Sequence, residues 1–107
     1  LTDKQIFILL DSPNAELIIR LNEEDREQVN VLRKFLLDHK KIDQDQLITF
    51  LYAIAKKPEL PSTKNGIRQL HFFRNLYQLL FGRESGPRLA QFLLDADREK
   101  ICELLDV

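Results

Sequence analysis

Phe72-Phe73-Arg74-Asn75-Leu76-Tyr77-Gln78-Leu79-Leu80-Phe81-Gly82-Arg83-Glu84-Ser85-Gly86-Pro87-Arg88-Leu89 is the stretch on which the fold turns. It predicts an aromatic-rich helix that stops at Gly82, a short turn, and a second helix that restarts at Pro87. Glycine just past a helix end supplies the left-handed backbone that closes it, and proline at a first helical position lacks only an N–H that has no partner there anyway. The helix before the stop, over about 67–81, is apolar on most of its circumference, with Leu70, Phe72, Phe73, Leu76, Tyr77, Leu79, Leu80 and Phe81. Such a helix belongs at the centre of a bundle. One polar stripe escapes: His71, Arg74, Asn75 and Gln78 recur at i, i+3, i+4 and i+7 and share a face.

Working outward, every segment reads as helix. After the turn, Leu89, Phe92, Leu93 and Ala96 keep the helical spacing, and a last helix follows Asp95-Ala96-Asp97 with Ile101, Leu104 and Leu105 inward. Upstream, Asp43 and Gln46 have the spacing of a capping box, ahead of the apolar face Leu47, Ile48, Leu51, Ile54 and Ala55. Asn22 caps a long helix whose first turn carries Glu23, Glu24 and Asp25, where acids suit the helix dipole, and which is expected to end on Lys40 and Lys41. Thr2 and Gln5 form another box-like pair, and Ser12-Pro13 marks a break before Leu17, Ile18 and Leu21. Residues 58–66, with two prolines, a glycine and small polar residues, read as a loop. No alternating strand pattern and no repeat occurs. The expected fold class is all-α: one domain over 1–107, a bundle of five to seven short helices, divided into N-terminal helices 1–57, the loop 58–66 and C-terminal helices 67–107.

The 107 residues suffice for one core, and the 44% apolar and 31% charged content is that of a globular chain. The chain starts at Leu1 and contains no methionine, so it is expected to be a piece of a longer protein. Its one cysteine, Cys102, falls at an apolar position and suits a reducing compartment. Net charge is −1, but unevenly spread. Residues 56–88 hold seven bases (Lys56, Lys57, Lys64, Arg68, Arg74, Arg83, Arg88) against Glu59 and Glu84, a balance of +5, whereas the segments on either side each carry −3. A basic middle on a domain otherwise acidic is what an RNA-binding face needs.

The same residues resemble a known family. The aromatic pair Phe72-Phe73, Leu76-Tyr77 and the turn Gly82-Arg83-Glu84-Ser85-Gly86-Pro87-Arg88-Leu89 are similar to the C-terminal signature of class I lysyl-tRNA synthetases, most strongly over residues 72–106 and more weakly back to about Leu21. The resemblance implies an all-helical anticodon-binding cage, related to that of the glutamyl enzymes. It implies a cytoplasmic protein of protein biosynthesis, with lysine tRNA as partner and an upstream catalytic domain as neighbour. The ATP and magnesium of the ligase reaction would belong to that domain, whose His-x-Gly-His and Lys-Met-Ser-Lys-Ser segments are absent here, and this domain would need no cofactor. Ala90 stands where the family often has glycine.

Reading unpaired bases takes rings to stack on and donors for base edges and phosphates. The candidate RNA-binding residues are therefore His71, Arg74, Asn75, Tyr77, Gln78, Arg83 and Arg88, with Arg68 and Lys64 from the same basic segment. Gly82, Gly86 and Pro87 shape the turn. Each has a plainer reading: rings fill cores, a polar stripe faces solvent, and Arg88 pairs with Glu84. No catalytic residue or metal-ligand set is legible, the histidines His39 and His71 being isolated. The alternative is a non-catalytic, synthetase-like helical module that meets another protein.

Overall fold

The computed structural model describes residues 9–39, 41–84, 86 and 88–107. Within them the chain forms six α-helices and no strand: α1 Ala15–Arg20, α2 Glu23–Asp38, α3 Gln44–Ala55, α4 Ser62–Phe81, α5 Leu89–Asp95 and α6 Arg98–Leu104. The all-α expectation holds. The Thr2–Gln5 cap and the restart at Pro87 lie outside the described residues.

Local chemistry accounts for the helix starts. The Asn22 side chain accepts from the Asp25 backbone at 2.8 Å while Asp25 reaches back to the Asn22 N–H at 3.4 Å. Asp43 and Gln46 repeat that reciprocal box at α3. Asn14 caps α1 and Asp97 caps α6. Gly82 ends α4 with φ 71°, the left-handed conformation a glycine adopts without cost.

Packing follows the apolar stripes. The two long helices α2 and α4 pack on one another and on α3; α5 lies on α3, α6 on α2, and α1 on α4. Phe72, Leu76, Leu79 and Leu80 of α4 are fully buried against Val29, Leu32 and Leu36 of α2, Leu47 of α3, and Leu93, Ile101 and Leu104 of the last two helices. Burying each such side chain contributes roughly 1.5–3 kcal/mol.

Four arginines complete the helix ends from across the bundle. Arg26 donates to the carbonyl of Ile18, Arg33 to Cys102, Arg68 to Ala55 and Arg98 to Leu36, at 2.7–3.0 Å, so carbonyls at the ends of α1, α6, α3 and α2 each meet a guanidinium.

The structure departs from the sequence expectation in three places. First, α4 begins at Ser62 and not at about 67, so the loop shrinks to residues 56–61. The reason is Asn65, whose buried amide accepts from the Lys57 N–H at 2.8 Å and donates to the carbonyls of Lys57 and Leu60. A residue that looked like loop polarity is the pin that holds the connection on the first turn of the helix. Second, α2 stops at Asp38 with no base in its last turn and before Lys41, Lys40 lies outside the described residues, and Arg98 of α6 donates to the carbonyls of Leu36 and His39 at that end. Third, Leu70 is 60% exposed, so α4 is not apolar towards the core all round.

Candidate nucleic-acid interface

One i, i+4 pair and one i, i+4, i+8 ridge build a groove between α3 and α4. On α4, Phe73 and Tyr77 lie one turn apart on the flank facing α3; on α3, Gln44, Ile48 and Tyr52 form a ridge beside the core stripe of Leu47 and Leu51. Tyr52 meets Phe73 edge to face, with centroids 5.2 Å apart and planes at 89°. Gln69 donates to the Tyr52 carbonyl at 3.1 Å and ties the two helices together at this level. The start of α5 closes the end with Leu89 and Ala90, both buried. The result is an open groove of about 410 Å³, lined by Gln44, Ile48, Leu51, Tyr52, Phe73, Tyr77, Arg88, Leu89 and Ala90. Its floor is aliphatic, its walls are rings, and Gln44 and Arg88 provide the polar groups.

The turn presses on this groove. A Cβ at Gly86 would stand 2.9 Å from Cδ1 of Tyr77 and 3.3 Å from Cδ2 of Phe81, so only glycine lets the chain pass this close. Burial, with neighbouring Tyr52 adding to it, pushes the Tyr77 phenol above its ordinary value, so it remains protonated at neutral pH.

The candidate residues separate into groups. Tyr77 and Arg88 share the groove. Arg88 is the residue just before α5, outside its first turn, and is exposed. Among the described residues no side-chain hydrogen bond or ion pair engages Arg74, Arg83 or Arg88, and the pairing of Arg88 with Glu84 that the sequence allowed is not formed.

The stripe is not uniformly exposed. Arg74 faces solvent, Gln78 is half-buried, and Asn75 is buried with no partner for Nδ2 among the described residues. His71 Nε2 sits 3.2 Å from Asp25 Oδ1. Arg68 is committed elsewhere, to the Ala55 carbonyl at 2.8 Å and Glu24 at 2.6 Å. Lys64 is exposed in the first turns of α4, thirteen residues and therefore about 20 Å of helix from Tyr77.

Sequence reasoning passed over Gln44 and Tyr52. Their signal was the 44, 48, 52 spacing, an i, i+4, i+8 ridge bearing an aromatic outside the core stripe.

No family model matches the chain. Among curated proteins it is 30% identical over 99 residues to the lysine–tRNA ligase of Pyrococcus horikoshii, covering 92% of this chain and 17% of that protein. It is 32% identical to the Thermococcus kodakarensis lysine–tRNA ligase over the same shares. To that of Streptomyces coelicolor it is 33% identical, over 92% of this chain and 18% of the relative. The chain thus spans about a sixth of the length of the curated relatives it matches. The similarity is not confined to residues 72–106, since it extends over nearly the whole chain. By sequence, then, these helices are a homologue of one segment of the lysine–tRNA ligases, consistent with the C-terminal domain of the class I enzymes.

Proposed function

We propose that this chain is the anticodon-binding unit of a lysine–tRNA ligase, and that it selects lysine tRNA by stacking, base-edge and phosphate contacts. The observation that carries the reading is the groove that Tyr52, Phe73, Tyr77 and Arg88 line together. A base taken out of a loop needs a flat apolar partner and donors at its edge. Rings from two helices supply the first; Gln44 and Arg88 supply the second. Arg74 and Arg83, which no described residue engages, suit phosphates, for which a guanidinium offers paired donors. In this reading ligation belongs to another part of a longer cytoplasmic polypeptide that binds ATP and magnesium, while the residues here decide which tRNA is held.

The test is fluorescence anisotropy of the chain with a lysine-tRNA anticodon stem–loop, titrated with salt beside a stem–loop whose three anticodon bases are changed. Preferential binding that weakens as salt rises is expected. Equal affinity for the two loops rejects anticodon selection. Absence of binding at low salt rejects RNA binding by the chain and favours a helical module that meets a protein.

A further inference from the structure

A second surface lies on the other flank of α4, where that helix meets α2. Two shallow clefts of about 290 and 260 Å³ adjoin there and share Glu24, Gln28 and Arg68. Gln28 is only 7% exposed, yet its Oε1 has no hydrogen-bond donor among the described residues. A buried acceptor without a donor costs free energy, and the cost disappears when a partner brings an N–H or O–H. Around it stand apolar side chains that the fold leaves open: Val31 and Ile54 border one cleft and Ile67 the other. Ile67 is 69% exposed, and Leu70, on the same face of α4, is 60% exposed. Gly66, one turn before Leu70, would meet nothing within 4 Å if it carried a Cβ. Its lack of a side chain weakens the helix and serves no contact among the described residues. Closely approaching backbone from outside does need such a position.

Charge decides the class of partner. The carboxylates of Glu24 and Asp25 are answered within the face by Arg68 at 2.6 Å, Lys57 at 3.6 Å and His71 at 3.2 Å. Glu27 and Lys56 complete the lining in balance, and Arg74, one turn beyond Leu70, lies outside the clefts, so the clefts themselves hold no surplus positive charge for phosphates. A neutralised face with an apolar patch and one orphan acceptor fits polypeptide.

We propose that the Gln28–Ile67–Leu70 face docks another domain of the same, longer polypeptide, with a donor from that domain on Gln28 Oε1. The inference rests on the reading of the chain as one unit of a ligase about six times its length, as its relatives are, but not on RNA binding.

The experiment compares amide hydrogen exchange of residues 63–71 in the 107-residue chain and in the full polypeptide. In the full polypeptide exchange is expected to slow by at least about tenfold. Leu70→Asp and Ile67→Asp should abolish that protection and leave the melting temperature of the isolated chain unlowered, since both side chains are exposed. Equal exchange in both proteins overturns the proposal. So does protection that appears only when the stem–loop is added, which assigns the face to RNA. Concentration-dependent self-association of the isolated chain that Leu70→Asp removes overturns it too, in favour of a second copy. The anisotropy titration is independent of all three, so either reading can fail alone.

Discussion

Gly86 lies so close over Tyr77 that a Cβ there would stand 2.9 Å from the Tyr77 ring. The turn after α4 and the aromatic wall of the groove are therefore one packed unit. Gly86→Ala forces the ring or the turn aside, and overpacking of this kind costs about 1–3 kcal/mol. Urea unfolding should show that loss, and the displaced Tyr77 should weaken stem–loop binding in the fraction that remains folded.

Asn65 holds the connection between α3 and α4 with three hydrogen bonds, to Lys57 twice and Leu60 once. Asn65→Ala leaves a backbone N–H and two carbonyls without that partner. A destabilisation of about 2–3 kcal/mol is expected by chemical denaturation, with faster amide exchange at the start of α4.

Arginines that look alike in the sequence should separate by experiment. Arg88→Ala and Arg74→Ala are expected to lower stem–loop affinity and to reduce the salt slope by about 1 for each phosphate that is no longer neutralised, with stability unchanged. Arg68→Ala should do the reverse: it loses the bonds to Ala55 and Glu24, costs about 1–3 kcal/mol of stability, and leaves the affinity of the folded chain nearly unaltered. Anisotropy and thermal melts on the three variants check this.

Tyr52 tests the groove itself. Tyr52→Ala is expected to weaken binding by about 1–3 kcal/mol, the worth of a base stacked on a ring. Its edge-to-face contact with Phe73 makes the stability cost about 1 kcal/mol. Tyr52→Phe should retain most of the affinity, because the ring does the stacking.

The Glu24–Arg68 pair predicts a pH dependence. The hydrogen bond from Arg68, opposed by burial and aided by the charges of Arg68 and Lys57, holds the Glu24 carboxyl below its ordinary 4.5. A carboxyl held low in the folded state binds its proton more weakly than in the unfolded chain. Its contribution is therefore full above about pH 4.5 and is lost as pH falls through the lowered value. The stability difference between the wild type and Glu24→Gln should be flat from pH 7 to 5 and shrink below that. Salt should diminish it, since the Glu24 side chain is 47% exposed.

Much of this architecture was legible in the residues because its causes are local. The caps at Asn22 and Asp43 and the stop at Gly82 each depend on atoms within a few residues of one another. The stripes that face the core follow from helical spacing, and the resemblance of residues 72–89 pointed to the lysyl enzymes before any fold was in hand. The start of α4 was misplaced because Asn65 was read by composition, whereas its role depends on carbonyls that come near only when the connection folds back.

The polar stripe of α4 shows the same division. Periodicity put His71, Arg74, Asn75 and Gln78 on one face, but not which neighbours cover that face. Asn75 is buried, His71 meets Asp25 of α2, and Arg74 is exposed with no partner among the described residues. Sequence by itself determined that these segments are helices, the caps at Asn22 and Asp43, the stop at Gly82, the class of fold and the family they resemble, since these follow from spacing and composition along the chain. Only the tertiary structure decided which arginines end helices and which face solvent, and that Tyr52 stands opposite Phe73. Those relationships join residues up to 69 positions apart, as in Arg33 and Cys102, and contacts at such separation are settled by packing.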